Sequence, residues 1–314
     1  MEDYPKRLAE FEARFSSEEA CRAYLLQLRW PDGVVCPRCG GRKVWERSRD
    51  LLMCASCSYE ISATAGTVFE RTRKPLTMWF RAMWWVTSQK TGASALGLQR
   101  ILGLGSYPTA WTWLHKLRRA MVRPGRDRLS GTVQVDETYV GGPKPGKRGR
   151  GASGKSLVLI AAELDGVRIG RIRLERVPDA SGPSLEGAIL HAVFPDSVIQ
   201  TDGWTGYTRL DSMGYTHEVV RSTAAVGEDL LPCCHRVASL LKRWMMGTHQ
   251  GAISHEHLEY YLDEFTFRFN RRTSQHRGKL FFRLVQQAVA IEPTAYKEMI
   301  KQVRGRKPQK HNVW

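Results

Sequence analysis

The chain has 314 residues, of which 42% are hydrophobic and 25% charged; that balance excludes an intrinsically disordered protein and leaves room for two or three domains. No run approaches the roughly 18 apolar residues of a membrane span, and "MEDYPKRLAEFEARF" lacks a signal core, so a cytoplasmic protein is expected. Lys and Arg number 48 against 31 Asp and Glu, a net charge of +17. This favours nucleic acid as partner, because each neutralised phosphate releases condensed counterions, and disfavours acidic lipid in the absence of an amphipathic anchor.

The first predicted helix lies in "FSSEEACRAYLLQLRWPDG". Ser16, with Glu19 three residues on, fits a capping box, Leu25, Leu26 and Leu28 form the apolar side, and "WPDG" stops the helix as a turn. Next, Cys36-x2-Cys39 and Cys54-x2-Cys57 bracket a 14-residue insert. Each CxxC makes a tight knuckle, two knuckles supply four thiolates to one tetrahedral zinc, and the insert is long enough for a hairpin, with "KVWER" and "YEISAT" as short strands. A redox dithiol needs only one pair, and four thiolates leave no open position for catalysis. A structural zinc ribbon is therefore expected, with its contact, DNA or protein, left open.

Residues 74–121 are helical in pattern, and their five tryptophans, at 79, 84, 85, 111 and 113, read as core. "GASALGLQRILGLGSYPTAWTWLHKLRRAM" has the outline of a helix, a glycine-containing turn and a second helix ending near Arg118 and Arg119, as in a DNA-reading helix-turn-helix. "RPGRDRLSG" follows as a linker.

Beyond it the pattern changes to strands: "GTVQVDETYVGG", "SLVLIAAEL", "VRIGRIRLERV" after a short "DG" turn, a helix at "SLEGAILHAVF", and a strand in "SVIQTDGWTGY" ending near Asp202. This order suits a mixed α/β sheet. The loop "GGPKPGKRGRGASGKS" lacks the spacing of a P-loop and reads as a basic clamp on a nucleic-acid backbone, with Lys144, Lys147, Arg148 and Arg150. Asp136 within one strand and Asp202 at the end of another can meet if the strands are neighbours. Two close carboxylates need a cation, and hard oxygen ligands select Mg²⁺ or Mn²⁺. Glu137 points to the opposite face. "HLEYYLDEFTFRFNRR" is an amphipathic helix with Arg268, Arg271 and Arg272 placed to reach phosphates, and the tail "KQVRGRKPQKHNVW" is basic.

"VDETYVGG", "QTDGWTGY" and "SLLKR…GTHQGAISHEHLEYYLDEFTFRFNRR", together with "LRWPDGVVCPRCG", resemble the DDE-type transposases of small bacterial insertion sequences that carry an N-terminal zinc ribbon. The resemblance covers nearly the whole chain. It implies an α/β multidomain fold: an N-terminal helix (1–30), a four-cysteine zinc ribbon (31–70), a helix-turn-helix (71–125), a ribonuclease H-like catalytic domain (130–290) and a basic tail (291–314). It also implies a nucleoid-associated enzyme that cuts element ends and joins the freed 3′-OH to target DNA. The partners would be double-stranded terminal repeats and target DNA, in an assembly of at least two protomers. Asp136 and Asp202 would be the first two metal-binding acids.

The family's third acid falls at His235, and its basic residue at Lys242, followed by Arg243. The seven-residue step is about two helical turns, so both side chains share one side, and Pro232 suits a first turn. Three readings stand: His235 is a working metal ligand or proton handler; Glu228 or Asp229 substitutes for the acid; or the site is dead and the protein binds DNA without chemistry. A nuclease that cuts without joining is a further alternative. A Cys/His zinc site using Cys233 and Cys234 is disfavoured, because adjacent helical residues diverge by about 100°.

Overall fold

The computed structural model describes residues 2–47, 51–123, 125–141, 155–221, 229–250 and 253–301. They form two units, one from the described residues of 1–124 and 274–301, the other from those of 125–273.

In the first unit, α1 (Leu8–Arg14) and α2 (Glu18–Arg29) precede a three-stranded antiparallel sheet of β1 (Val44–Arg47), β2 (Leu51–Cys54) and β3 (Glu60–Ile61). The cap of α2 is Ser17, one residue later than the sequence pattern indicates: its hydroxyl accepts from the Ala20 amide at 3.2 Å. Three helices follow: α3 (Leu76–Ser88), α4 (Ala95–Leu102) and α5 (Tyr107–Ala120). Pro75 cannot cap α3 with its side chain, and the Glu18 carboxylate of α2 does so instead, accepting from the Leu76 and Thr77 amides at 2.7 and 2.9 Å. Those bonds hold Glu18 below the usual carboxylate range against the opposing effect of burial.

The helix pair expected at 95–120 is present. Ser94 and Ser106 cap the two helices, and Gly103 ends α4 with φ +61°. Arg118 is buried, donating to the Ala93 carbonyl at 3.4 Å, so it ties the end of α5 to the residue before the α4 cap. Trp79, Trp84 and Trp113 are buried, and the Trp79 and Trp113 rings stack 3.7 Å apart.

Helix α9 (Arg277–Ala288) belongs to this unit, followed by α10 (Tyr296–Lys301). Fully buried Phe281 meets Phe11, Phe15, Phe80 and Trp84 at centroid distances of 5.3–5.7 Å. The second unit ends at Thr273, whereas the sequence reading carries the catalytic domain on to residue 290: amphipathic spacing reveals a buried face but not which core receives it.

The second unit is built on a five-stranded sheet of order β6-β5-β4-β7-β8. Strands β4 (Thr132–Val140), β5 (Ser156–Asp165) and β6 (Arg168–Val177) are antiparallel neighbours, and β7 (Val198–Thr201) and β8 (Thr216–Val219) continue parallel to β4. With α6 (Gly182–Ala192) on one face and α7 (Pro232–His249) and α8 (Leu258–Phe269) on the other, this is the ribonuclease H-like arrangement. Strand alternation divides the core: Val133 and Val135 pack towards α6 with Leu185 and Ile189, whereas Val140, Ile160 and Ala162 pack towards α7 with Val237 and Leu241.

Candidate active site and zinc centre

In the zinc ribbon each cysteine pair opens a knuckle that closes on a residue in the left-handed region. The Gly40 amide (φ +74°) donates to the Cys36 carbonyl at 2.9 Å, and the Ser58 amide (φ +55°) to the Cys54 carbonyl at 3.0 Å. The four sulfurs lie within 4.8 Å of one another, with Cys36–Cys57 and Cys39–Cys54 separations of 3.6 and 3.5 Å. A tetrahedron with Zn–S bonds of about 2.3 Å has an edge of roughly 3.8 Å, so the set fits zinc with little adjustment. Burial opposes ionisation of Cys54, but the amides of Cys57 and Ser56 and the neighbouring thiols pull it down to about 6, whereas at Cys39 the Gly41 amide is outweighed by the Cys57 and Cys54 thiols, which push it up, so the first thiolate of the set forms at Cys54. Among the described residues this is the only group of three or more His, Cys, Asp or Glu side chains so tightly gathered.

The second site sits where β4, β7 and the start of α7 meet. Gln134, Asp136 and Val140 occupy the α7 face of β4, while Glu137 faces the α6 side and accepts from the Tyr207 hydroxyl at 2.6 Å. Gln134 is the residue sequence reasoning missed. Its Oε1 accepts from the Cys233 amide at 3.0 Å, capping the first turn of α7 from the strand that carries Asp136. Its Nε2 donates to Gln200 of β7 at 3.4 Å, and Gln200 in turn donates to Glu218 of β8 at 3.0 Å. A buried polar residue two positions before the acid, on the same face, was the only signal available.

That cap brings His235 over Asp136, with Nε2 3.4 Å from Asp136 Oδ2, while its Nδ1 faces Asp229 Oδ1. Asp136 is mostly buried and its carboxyl is pushed up to about 6: burial is the main cause, the Glu137 amide and His235 oppose it, and the Glu137 and Asp202 carboxylates add to it. Asp202 lies just past β7, its Oδ1 accepting from the Trp204 amide at 3.0 Å; it acts on Asp136 electrostatically without touching it. The turn needs Gly203 (φ +80°), where an added Cβ would stand 2.6 Å from Val219 Cγ1. Lys242 is exposed; burial of its stem lowers its pKa first, nearby Lys155 adds to that, and Asp136 opposes it. Arg243 is also exposed.

Asp136 and His235 are brought together, whereas Asp202 acts on Asp136 only electrostatically, and the three are not gathered into one tight ligand group as the four cysteines are. Cys233 and Cys234 are buried, and the Cys234 thiol faces the Ile160 carbonyl at 3.6 Å, so both pack the core. Lys144, Lys147, Arg148, Arg150 and Glu228 lie outside the described residues.

The arginines at the end of α8, expected to reach phosphates, are engaged within the protein. Arg268 pairs with buried Glu264 at 2.8 Å. Arg271 lies over the Phe267 ring at 4.1 Å and donates to the Phe267 carbonyl. Arg272 donates to the carbonyls of Phe269, Gly170 and Ile169, and the Asn270 amide pairs twice with the Ile172 backbone, at 2.8 and 3.1 Å. The physical reason is that β6 offers edge carbonyls within reach of the helix end, so "NRR" fastens α8 to β6.

Residues 128–270 match the ISXO2-like transposase domain, and residues 16–60 match the transposase zinc-ribbon domain. Together the two matches fit an insertion-sequence transposase with an N-terminal zinc ribbon. An uncharacterised protein in the transposable element ISH50 of Halobacterium salinarum is 27% identical over 281 residues, covering 81% of this chain and 91% of that protein. The transposase domain begins just before β4 and ends at Asn270, so it takes in Asp136, Asp202, His235 and Lys242 and leaves α9 outside, as the two units do. No helix among the described residues of the transposase is long and apolar enough to cross a membrane.

Proposed function

We propose that this transposase cleaves DNA at the ends of its insertion sequence and transfers the freed 3′-OH into target DNA, using a site of two aspartates and a histidine. The observation that carries the reading is the approach of His235 Nε2 to Asp136 Oδ2 at 3.4 Å, at the position where the family carries its third acid.

Asp136, Asp202 and His235 would hold divalent cations, Mg²⁺ or Mn²⁺, which when bound supply an activated attacking oxygen and a stabilised leaving oxygen for in-line phosphoryl transfer. Asp229 orients the imidazole: a proton on Nδ1, donated to its carboxylate, leaves the Nε2 lone pair directed at the site. Gln134 fixes the helix start that carries His235. Lys242, unpaired among the described residues, would hold a phosphate or terminal base, and Arg243 a neighbouring phosphate. Double-stranded DNA is then the partner, recognised through the ribbon and the α4–α5 pair, with two or more protomers joining two ends.

Purified protein, its own terminal DNA and Mg²⁺ or Mn²⁺ test this, with His235→Ala and His235→Glu in parallel. Joined products from the native protein, lost in His235→Ala, support a working histidine. Binding without cleavage in the native protein, with cleavage gained in His235→Glu, would replace the proposal with a DNA-binding protein that has lost its chemistry.

A further inference from the structure

A pocket of about 370 Å³ opens at the start of β5 and the end of β6, apart from the carboxylates. Its polar lining is Lys155, Ser156, Arg176 and His255, with Leu157 and Pro178 beside them and no acid among the lining residues. The wall is preorganised. The Ser156 hydroxyl and His255 Nδ1 are 2.6 Å apart, and Arg176 Nη1 donates to the His255 carbonyl at 3.1 Å. The Arg176 amide is taken by Glu259 at 2.9 Å, behind the lining. The Arg176 guanidinium makes no further hydrogen bond among the described residues, and Lys155 makes none, so both cations are free for an anion.

The register relates the pocket to the active site. Asp136 pairs with Ile160 and Val140 with Ser156, which puts Ser156 four residues along the ladder, roughly 13 Å at strand spacing. Lys155 is close enough to Lys242 for the two ammonium groups to repel each other. Like charges held near one another invite an anion, although Asp136 offsets part of the repulsion at Lys242, and a phosphodiester strand running past the carboxylates supplies successive ones.

We propose that Lys155, Ser156, Arg176 and His255 form a phosphate-binding pocket that seats the DNA backbone beside the active site. The inference rests on the reading of this chain as an enzyme acting on DNA. Lys155 and Arg176 neutralise one phosphate, and the Ser156–His255 pair supplies a directional contact to its oxygens.

The test is equilibrium binding of a labelled duplex of mixed sequence across a salt series, without added divalent metal, for the native protein, Lys155→Ala, Arg176→Ala and Arg176→Lys. Each alanine variant is expected to make the dependence of log K on log salt about one unit shallower, with binding roughly tenfold weaker at low salt, and Arg176→Lys to keep the native slope. Lys155→Ala carries the test if Arg176→Ala melts early, because Lys155 holds no other residue in place. Native binding with parallel slopes in the alanine variants overturns the pocket alone. Failure of the native protein to bind duplex at any salt overturns the DNA reading and the pocket with it.

Discussion

His235 stands between two carboxylates, its Nε2 3.4 Å from Asp136 Oδ2 and its Nδ1 against Asp229 Oδ1. A carboxylate on the far nitrogen is the usual way to fix a ligating imidazole in one tautomer, and its loss typically costs 10- to 100-fold in metal affinity. Asp229→Ala is therefore expected to weaken Mn²⁺ binding by about that factor, read by paramagnetic resonance of free Mn²⁺. In the His235→Glu background the same change should do nothing, since a carboxylate needs no tautomer. Equal affinities for native and Asp229→Ala would reduce the Asp229 contact to a surface pairing.

The raised carboxyl of Asp136 gives a pH prediction. A folded-state pKa near 6, above the usual carboxylate value, means the protonated form is favoured on folding. Its contribution to stability is full below the ordinary carboxylate pKa and is lost as pH rises through about 6. A cation at the site offsets this, so added Mn²⁺ should raise the melting temperature of the second unit more at pH 7.5 than at pH 5. An equal rise at both pH values would show that Asp136 is not involved in binding.

How much of this was legible in the sequence depends on how local each cause is. The zinc ribbon was legible because thiolate spacing alone dictates the knuckles, and Asp136 because strand alternation sets it on the face opposite Glu137. Gln134 was not: a glutamine in an alternating strand reads as a polar face, and only the tertiary fold brings the Cys233 amide to it. The same holds for Arg272, whose carbonyl partners on β6 are about a hundred residues away in sequence. Phe281 advertised its burial but not its destination. The helix cap missed by one residue because Ser16 and Ser17 both offer a hydroxyl, and backbone geometry chose between them.

Gln134→Leu tests the strand-to-helix cap. Removing the acceptor leaves the Cys233 amide at a buried helix start without its partner, a cost of about 1–3 kcal/mol, and frees the first turn that carries His235. Chemical denaturation should register the loss, and Mn²⁺ affinity should fall even where the variant is fully folded. Duplex binding should hold, because Gln134 faces the core. A variant with lowered stability and native Mn²⁺ affinity would confine Gln134 to the scaffold.

Zinc removal should act on the ribbon. Among the described residues its own buried cluster is Cys36, Cys54 and Ile61, with a few half-buried neighbours, too small to fold without the metal. One zinc per chain is expected from a colorimetric chelator assay, and Cys54→Ser should abolish it. Amide signals of 36–61 should collapse on chelation while those of β4–β6 persist. Persistence of the ribbon signals in the zinc-free protein would show that the hairpin folds by packing alone.

The "NRR" segment separates a structural arginine from a phosphate contact. Arg272 reaches the carbonyls of Gly170 and Ile169 at the start of β6, and Asn270 pairs with Ile172 just beyond them. Arg272→Ala is therefore expected to lower stability by about 1–3 kcal/mol while leaving the salt dependence of DNA binding at its native slope. Asn270→Ala should behave alike, since it removes two hydrogen bonds and no charge. The opposite pattern, native stability with a slope about one unit shallower in Arg272→Ala alone, would return Arg272 to the DNA surface. The two outcomes separate because a carbonyl contact is lost on unfolding, whereas a phosphate contact is lost only on dissociation. Urea titration and a salt series on the same preparation read both.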